Sequence, residues 1–287
     1  MLPKFDYFAP TSISETLTLL EQNETEAKIL AGGTDLLVNL RAHAERATCL
    51  IDVKNVEALQ SIRYDEKQGL TIGAAVSLRK IIESETVGRL YPILQESASS
   101  IADFTVRNRA TLVGNICNAS PAADTAPALL VLDAVVKVAN RKVAREVPIR
   151  EFFTGVKKTV LQKGEFVTSV SVPQPPEGSK GEYLKARRVM GEDVAVVGVA
   201  GLATPNGNDC KNLRLAYASV APTPVRAFEA ESIFLKDKPT PRLLEQAMLI
   251  VMKTVSPISD VRGGKEYRTN LVKVLTKRLA EELWMAN

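Results

Sequence analysis

Residues 110–133 read ATLVGNICNASPAADTAPALLVLD, and the fold turns on this stretch. Small residues, amides and one acid are gathered between Gly114-Asn115 and a closing apolar run. Gly114 has no Cβ, so its backbone can come close to another molecule. Asn115, Asn118, Ser120 and Asp124 supply short donors and acceptors. Pro121 and Pro127 stiffen the path, the second where a helix has just begun. The apolar run 128–132 then asks to be buried. The pattern describes a polar cradle on a rigid floor. Taken alone, the same residues also describe a Gly/Asn-rich turn ahead of a core helix.

A second stretch shifts the balance. Ala31-Gly32-Gly33-Thr34-Asp35 follows the apolar run 27–30 and precedes Leu36, Leu37 and Leu40 at helical spacing. A strand, a Gly-Gly turn and a helix start together present free backbone N–H groups at a positive dipole end, which is an anion site. Two such loops, with no lysine inside either, suggest a diphosphate held by backbone amides.

Composition bounds the rest. The chain has 287 residues, 45% of them apolar and 24% charged, with a net charge of +4. That is enough for one large core or two to three modest domains. The basic residues are scattered and not interleaved with aromatics, which argues against nucleic acid. No window reaches the length of a membrane span. The opening MLPKFDYFAP lacks an apolar signal core, so a cytoplasmic location is expected. Cys49, Cys117 and Cys210 are odd in number and far apart, as expected in a reducing compartment. Three thiols without a CxxC spacing cannot ligate an iron–sulfur cluster. His43, the single histidine, sits in the charged segment RAHAER and reads as a surface residue. Neither GxGxxG nor GxSxG occurs, which disfavours a Rossmann hydride enzyme and a serine hydrolase.

Along the chain, Ser12 to Glu15 fits a capping box ahead of a short helix. A strand, the Gly-Gly loop, a helix over 35–42 and a strand over 49–53 complete an αβαβ opening. Segments 59–64 and 69–75 alternate across DEKQ as a hairpin. Ser77 caps a helix to 84, and 91–102 continues as a helix. Arg109 reads as a solvated rim. Strands 135–139 and 166–172 share a sheet, with a solvated basic loop over 140–145. PQPPEGS, residues 173–179, is the clearest linker. Beyond it, 183–189, 195–203 and 213–220 read as three antiparallel strands, with a turn over 205–208. Helices near 226–235, 240–254 and 265–285 follow, the last with Leu271, Val274, Leu275 and Leu279 on one face.

The motifs AGGTDLL and VRNRATLVGNICNASPAAD, with the later segment 183–200 and the closing helix EYRTNLVKVLTKRLAEE, resemble the FAD-binding subunit of molybdenum-containing hydroxylases. That family includes the medium subunit of aerobic carbon monoxide dehydrogenase, the flavin domain of xanthine dehydrogenase and the β subunit of 4-hydroxybenzoyl-CoA reductase. The resemblance spans essentially the whole chain. It implies an α+β protein with a two-subdomain FAD-binding fold of the vanillyl-alcohol-oxidase/PCMH type, over 1–55 and 56–175. An α+β C-terminal domain with a three-stranded antiparallel sheet would follow over 176–287. The iron–sulfur insertion of the 4-hydroxybenzoyl-CoA reductase branch is missing here.

The resemblance also implies roles. FAD would be held without covalent attachment, in keeping with a Gly-Gly loop that contains no His or Cys. Ala31, Gly32, Gly33, Thr34 and Asp35 would line the pyrophosphate from one side, and Thr111, Gly114 and Asn115 from the other. Ser120 and Asp124 would reach the ribityl hydroxyls. Tyr183 and Lys185 would approach the isoalloxazine, with Asp193 nearby. Tyr183 equally fits a half-buried strand aromatic, and Glu192 reads as a charged hairpin end. No residue is expected to ligate metal. Molybdenum cofactor and [2Fe–2S] clusters would belong to a large and a small partner subunit, as a dimer of heterotrimers. Electrons would pass from those clusters through FAD to NAD⁺ or another acceptor. One departure stands out: the family reads T-x-G-G-N, and Val113 replaces its first Gly. If that position ran at positive φ, a β-branched residue would be strained. Two other readings stay open: a self-contained FAD oxidoreductase of the same fold, and a flavin-free assembly module, to which Val113 points.

Overall fold

Among the described residues the strands form sheets of three, five and four strands and one two-stranded hairpin. The computed structural model describes residues 2–23, 26–189, 193–206, 210–235 and 239–285. First come β1 (Asp6–Phe8), α1 (Ile13–Gln22), β2 (Ala27–Leu30), α2 (Leu36–Arg41) and β3 (Cys49–Asp52). Ser12 Oγ accepts from the Glu15 amide at 3.1 Å and starts α1. The three strands are parallel in the order β1-β3-β2. β1 was not anticipated: three residues, Asp-Tyr-Phe, are too few to show a period, and only pairing to Cys49–Ile51 makes them a strand.

The next unit holds β4 (Ile62–Asp65), β5 (Gly69–Gly73), α3 (Leu78–Ile82), α4 (Glu85–Leu90), α5 (Pro92–Ser99), α6 (Phe104–Arg107), α7 (Leu112–Cys117) and α8 (Thr125–Val131). It continues with β6 (Val135–Ala139), β7 (Ala144–Pro148), α9 (Ile149–Phe152), the hairpin β8 (Phe153–Gly155) and β9 (Lys158–Thr159), and β10 (Phe166–Val172). β4-β5-β10-β6-β7 form an antiparallel sheet. The basic loop is shorter than expected, because β7 pairs with β6 from Ala144 onward as an edge strand that buries only Val147. α5 stops at Ser99, short of the expected 102, and Ala102 stands in the left-handed region at φ 41°.

The C-terminal part contains β11 (Lys180–Ala186), β12 (Val197–Asn206), β13 (Cys210–Ala218), β14 (Val225–Arg226), α10 (Phe228–Phe234), α11 (Pro241–Thr254), α12 (Lys265–Leu279) and a π-helical turn (Ala280–Met285). Its sheet has four strands, β11-β12-β13-β14, instead of the expected three. The two-residue β14 pairs only with Ala216 and Tyr217, too little to leave a pattern in the sequence. Part of the expected 205–208 turn, and Glu192, lie outside the described residues. Along α12, Val272, Leu275 and Leu279 are buried, whereas Val274 is 55% exposed and does not join that face.

The C-terminal sheet is covered on both sides. Tyr183, Ala200, Leu202 and Ala216 face the core shared with α5 and α8, while Val197, Val199, Leu213, Leu215 and Tyr217 face a second core. Side chains alternate along a strand, so one run of apolar residues serves both cores. The second core is closed by Trp284, whose ring meets Phe234 edge-on at 4.7 Å and whose Nε1 donates to the Lys211 carbonyl at 2.8 Å.

Glu182 is the misfit of this sheet. It pairs with Gly201, on the side where Leu279 and Leu283 approach, and its buried Oε2 has no hydrogen-bond partner. Burial first, then the neighbouring Glu282 carboxylate, pushes its carboxyl from 4.5 up to about 7. The folded state therefore binds this proton more tightly than the unfolded chain. The associated stability is present at low pH and is lost as pH rises from about 4.5 through about 7. Glu182→Gln should accordingly raise the melting temperature relative to wild type at pH 8 and by much less at pH 5. Thermal unfolding at both pH values tests this, and a difference independent of pH would refute it.

Candidate functional site

The two glycine loops, 77 residues apart at Gly32 and Arg109, touch backbone to backbone. A Cβ on Gly32 would lie 2.3 Å from the Arg109 carbonyl oxygen and 2.8 Å from Ala110 Cα, so no other residue fits. Gly33 follows at φ +77°, where an L side chain is strained. The chain then enters α2 from Asp35, whose side chain makes no capping bond. Among the described residues, the amides of Gly32, Gly33, Thr34 and Asp35 donate to no protein acceptor. Four adjacent N–H groups without a protein acceptor at the end of a parallel strand are a donor set suited to an anion. Ala31 reaches the other way: its carbonyl accepts from Lys54 Nζ at 3.2 Å.

The second loop is fixed as firmly. Leu78 N donates to the Ala110 carbonyl at 2.8 Å, and Thr111 Oγ1 caps α7 by accepting from Gly114 N at 2.8 Å. A Cβ on Gly114 would meet only Thr111 Oγ1, at 2.9 Å, and otherwise open space. Asn115 Oδ1 accepts from Thr125 Oγ1 at 2.6 Å and ties α7 to α8. Val113 lies inside α7 at negative φ with its side chain in the core, so the strain considered for a β-branched residue does not arise. Ser120 Oγ accepts from Ala122 N at 3.2 Å in a local turn.

Backbone strain collects around this loop. Ala119 (φ 46°), Lys157 (φ 59°) and Ser219 (φ 67°) are three of six left-handed non-glycine residues among the described ones. Lys157 N donates to the Ala119 carbonyl at 2.9 Å, and Ser219 N donates to the Pro121 carbonyl at 2.7 Å. Conformations of this kind persist only where the surroundings over-determine them. Here the β8–β9 hairpin and the C-terminal sheet both grip the 118–121 turn.

Asp124, Tyr183 and Lys185 meet although 59 and 61 residues separate the acid from its partners. Tyr183 Oη donates to Oδ1 at 2.8 Å, and Lys185 Nζ donates to Oδ2 at 3.0 Å and to the Ser100 carbonyl at 2.9 Å. The Lys185 and Asp124 side chains are 5% and 9% exposed. Burial pushes the Asp124 carboxyl up, against the pull of the Lys185 charge and of the Tyr183 and Lys185 hydrogen bonds. Burial and the adjacent Asp124 push the Tyr183 hydroxyl well up, so it stays a donor. Tyr183 N donates to Glu96 Oε2 at 3.0 Å. Asp193 is engaged elsewhere, with Arg188 Nε at 3.2 Å, and that arginine holds its carboxyl below the ordinary range. Arg109 and His43 are exposed.

Residues 3–175 match the family described as the FAD binding domain in molybdopterin dehydrogenase, and residues 182–283 match the CO dehydrogenase flavoprotein C-terminal domain. The chain belongs to this family of FAD-binding subunits. It is 34% identical to the xanthine dehydrogenase FAD-binding subunit of Escherichia coli O157:H7, over 96% of this chain and 94% of that one. It is 32% identical to the carbon monoxide dehydrogenase medium chain of Hydrogenophaga pseudoflava, over 98% of both. A solved carbon monoxide dehydrogenase from that organism, lacking the Mo-pyranopterin moiety of its cofactor, superposes with a TM-score of 0.94 over 99% of this chain and 98% of the matched one. Quinoline 2-oxidoreductase of Pseudomonas putida 86 gives 0.90 at 28% identity, over 99% and 98% of the two chains.

The residues of this FAD-binding subunit suit a dinucleotide. The free amides of the first loop and the open face of Gly114 offer neutral donors and room for close approach. Among the described residues no group of three His, Cys, Asp or Glu could hold a metal ion, and no helix is long and apolar enough to cross a membrane. Sequence reasoning missed the supports of the site. Lys54, Glu96, Lys157 and Ser219 carry no motif, and only the fold brings them to the loops.

Gly198 makes the Asp124–Tyr183 contact available, since a Cβ there would stand 2.4 Å from Tyr183 Oη. Gly198→Ala should expel that hydroxyl, leave a buried acceptor poorly served and destabilise the protein by about 1–3 kcal/mol. Urea unfolding measures this. Wild-type stability for Gly198→Ala would contradict the packing described.

Proposed function

We propose that the chain is the electron-transfer component of a molybdenum hydroxylase. It would take electrons from a partner's [2Fe–2S] clusters and deliver them to NAD⁺ or another acceptor. The observation that carries this reading is the meeting of two glycine loops that leave adjacent amides without protein acceptors. In it, the amides of Gly32, Gly33, Thr34 and Asp35 hold the pyrophosphate of FAD from one side, beside Ala31. Thr111, Gly114 and Asn115 hold it from the other. Ser120 and Asp124 serve the ribityl hydroxyls, Tyr183 and Lys185 lie toward the isoalloxazine, and Asp193 lies nearby.

FAD, when bound, supplies a two-electron carrier able to exchange with one-electron centres. The chain's own residues bind and orient. Lys185 Nζ is fixed at the site by its bonds to Asp124 and the Ser100 carbonyl. A fixed cation favours negative charge on whatever faces it. The amides of the first loop are neutral donors, and in this reading Asp35 contributes its backbone N–H, its carboxylate making no capping bond at the start of α2.

Names such as medium chain and FAD-binding subunit, borne by the relatives, support a multi-subunit setting. The proposal includes a small iron–sulfur and a large molybdenum partner, assembled as a dimer of heterotrimers in the cytoplasm. It also includes the division at 1–55, 56–175 and 176–287. Separate three- and five-stranded sheets, and family matches that end at 175 and begin at 182, support that division.

The visible spectrum of the purified full chain tests the reading. A flavin spectrum, with FAD released on unfolding, is expected, and substrate of the complex should bleach it only when both partners are present. Bleaching of the isolated chain by substrate would refute the division of labour. Gly114→Ala should weaken FAD binding at least about tenfold, an effect of 1.4 kcal/mol, through the added Cβ. In the apoprotein the added Cβ crowds the Thr111 cap, 2.9 Å away, which offsets the helix propensity gained with alanine, so apo stability should change by no more than about 1 kcal/mol.

A further inference from the structure

Behind the first loop lies a small network that no motif announces. Lys54 Nζ donates to Asp52 Oδ2 at 2.6 Å and to the Ala31 carbonyl at 3.2 Å. The same Oδ2 accepts from Tyr7 Oη at 2.6 Å, and Oδ1 accepts from the Lys54 amide at 3.0 Å. Gln60 Nε2 donates to the Lys54 carbonyl at 2.7 Å and fixes the backbone there. Asp52 is 5% exposed. Burial alone would raise its carboxyl, but the hydrogen bonds from Lys54 and Tyr7 outweigh burial and hold it below the ordinary range. The acid is therefore charged at neutral pH and pins the Lys54 side chain against the loop.

The consequence follows from peptide geometry. In a trans peptide the C=O and the next N–H point in opposite senses. All peptide bonds of the described chain are trans. A cation that draws the Ala31 carbonyl one way thus aims the Gly32 N–H the other way. Gly32 N–H is the first of the four donors without a protein acceptor. A hydrogen bond to a charged donor also polarises the peptide it engages, which strengthens the N–H on its far side.

We infer that Lys54 is a positioning residue for the anion cradle, acting through the 31–32 peptide to present the Gly32 N–H to a diphosphate. The inference rests on the reading of this loop as a diphosphate site. Its effect is preorganisation: the donor already points outward, so binding need not order it. Tyr7 and Asp52 serve the same end by holding Lys54.

Binding of FAD, ADP and riboflavin to the full chain tests it, since ADP retains the diphosphate and riboflavin lacks it. Lys54→Met should weaken FAD and ADP alike by about tenfold or more and leave riboflavin unchanged, the scale expected for a charge-assisted bond. Lys54→Arg should restore most of the loss. Lys54→Met alone strands a buried carboxylate, so the Asp52→Asn/Lys54→Met double variant is measured beside it. It should keep the melting temperature of the apoprotein and still lose FAD and ADP affinity. Wild-type affinity in the double variant, with Gly114→Ala weakening both ligands, would overturn the role of Lys54 while leaving the cradle standing. Wild-type affinity in all of these variants would overturn the cradle and this inference together.

Discussion

Asp124 begins α8 with its carboxylate buried, and a charge in that position is tolerable only when paired. Lys185 and Tyr183 supply the pairing from the next part of the chain. Removing one partner from such a pair is far costlier than the pair's net contribution, because the remaining charge cannot reach water. Docking β11 onto α8 is therefore not optional packing: without it the start of α8 carries an unpaired buried acid. Farther along, Arg226 closes the other end of the same helix, donating to the Leu130 carbonyl at 2.8 Å, while Arg214 donates to that of Val131 at 2.9 Å. α8 is thus held at its start by a cation on its acid and at its end by cations on its carbonyls. The second arrangement also suits the negative end of the helix dipole.

That clamp explains the thin, glycine-bearing strands that face it. Tyr183 pairs with Ala200, and its hydroxyl reaches Asp124 over Gly198. Gly201 on the opposite face admits Leu283 at 3.1 Å from where a Cβ would stand. Small residues at alternate positions of β12 let both cores approach a single layer of backbone. Glycine weakens a strand in isolation, so the loss must be recovered by what it lets through. On one face that is an aliphatic contact, and on the other a buried hydrogen bond that fixes the polar site.

Much of this was legible in the residues. Gly32-Gly33 announced a turn with free N–H groups, Gly114 announced close backbone approach, and Ser12 and Ser77 announced helix starts, because each signal is local and has one physical cause. Tyr183, Lys185 and the role of Asp124 were singled out only through the resemblance, and the mutual contact of the three could not be derived, since no periodicity links positions about 60 residues apart. β1 and β14 were hidden for a related reason: two or three residues show no alternation, and a partner strand creates them. Val274 misled because its spacing from Leu271 and Leu275 suits an inward face. The turn of α12 instead directs Val272, Leu275 and Leu279 inward. Lys54 left no mark at all. A lysine one turn past a strand reads as solvated until the fold places Ala31 and Asp52 against it.

The chemistry of the chain follows from what its polar groups are already committed to. Asp124 is bound by Lys185 and Tyr183, Asp52 by Lys54 and Tyr7, and the Tyr183 hydroxyl is pushed toward remaining protonated. Cys117 is pushed up to about 12 by burial, which keeps it a thiol and a poor nucleophile. None of these groups is poised to transfer a proton or attack a carbon. At the two loops the backbone stays open: four amides without a protein acceptor on one, and the open face of a glycine on the other. Neutral backbone donors can bind an anion without exchanging a proton with it. The electron-carrier role proposed for this FAD-binding subunit calls for that restraint, because side chemistry on a carrier would divert what it is meant to pass on.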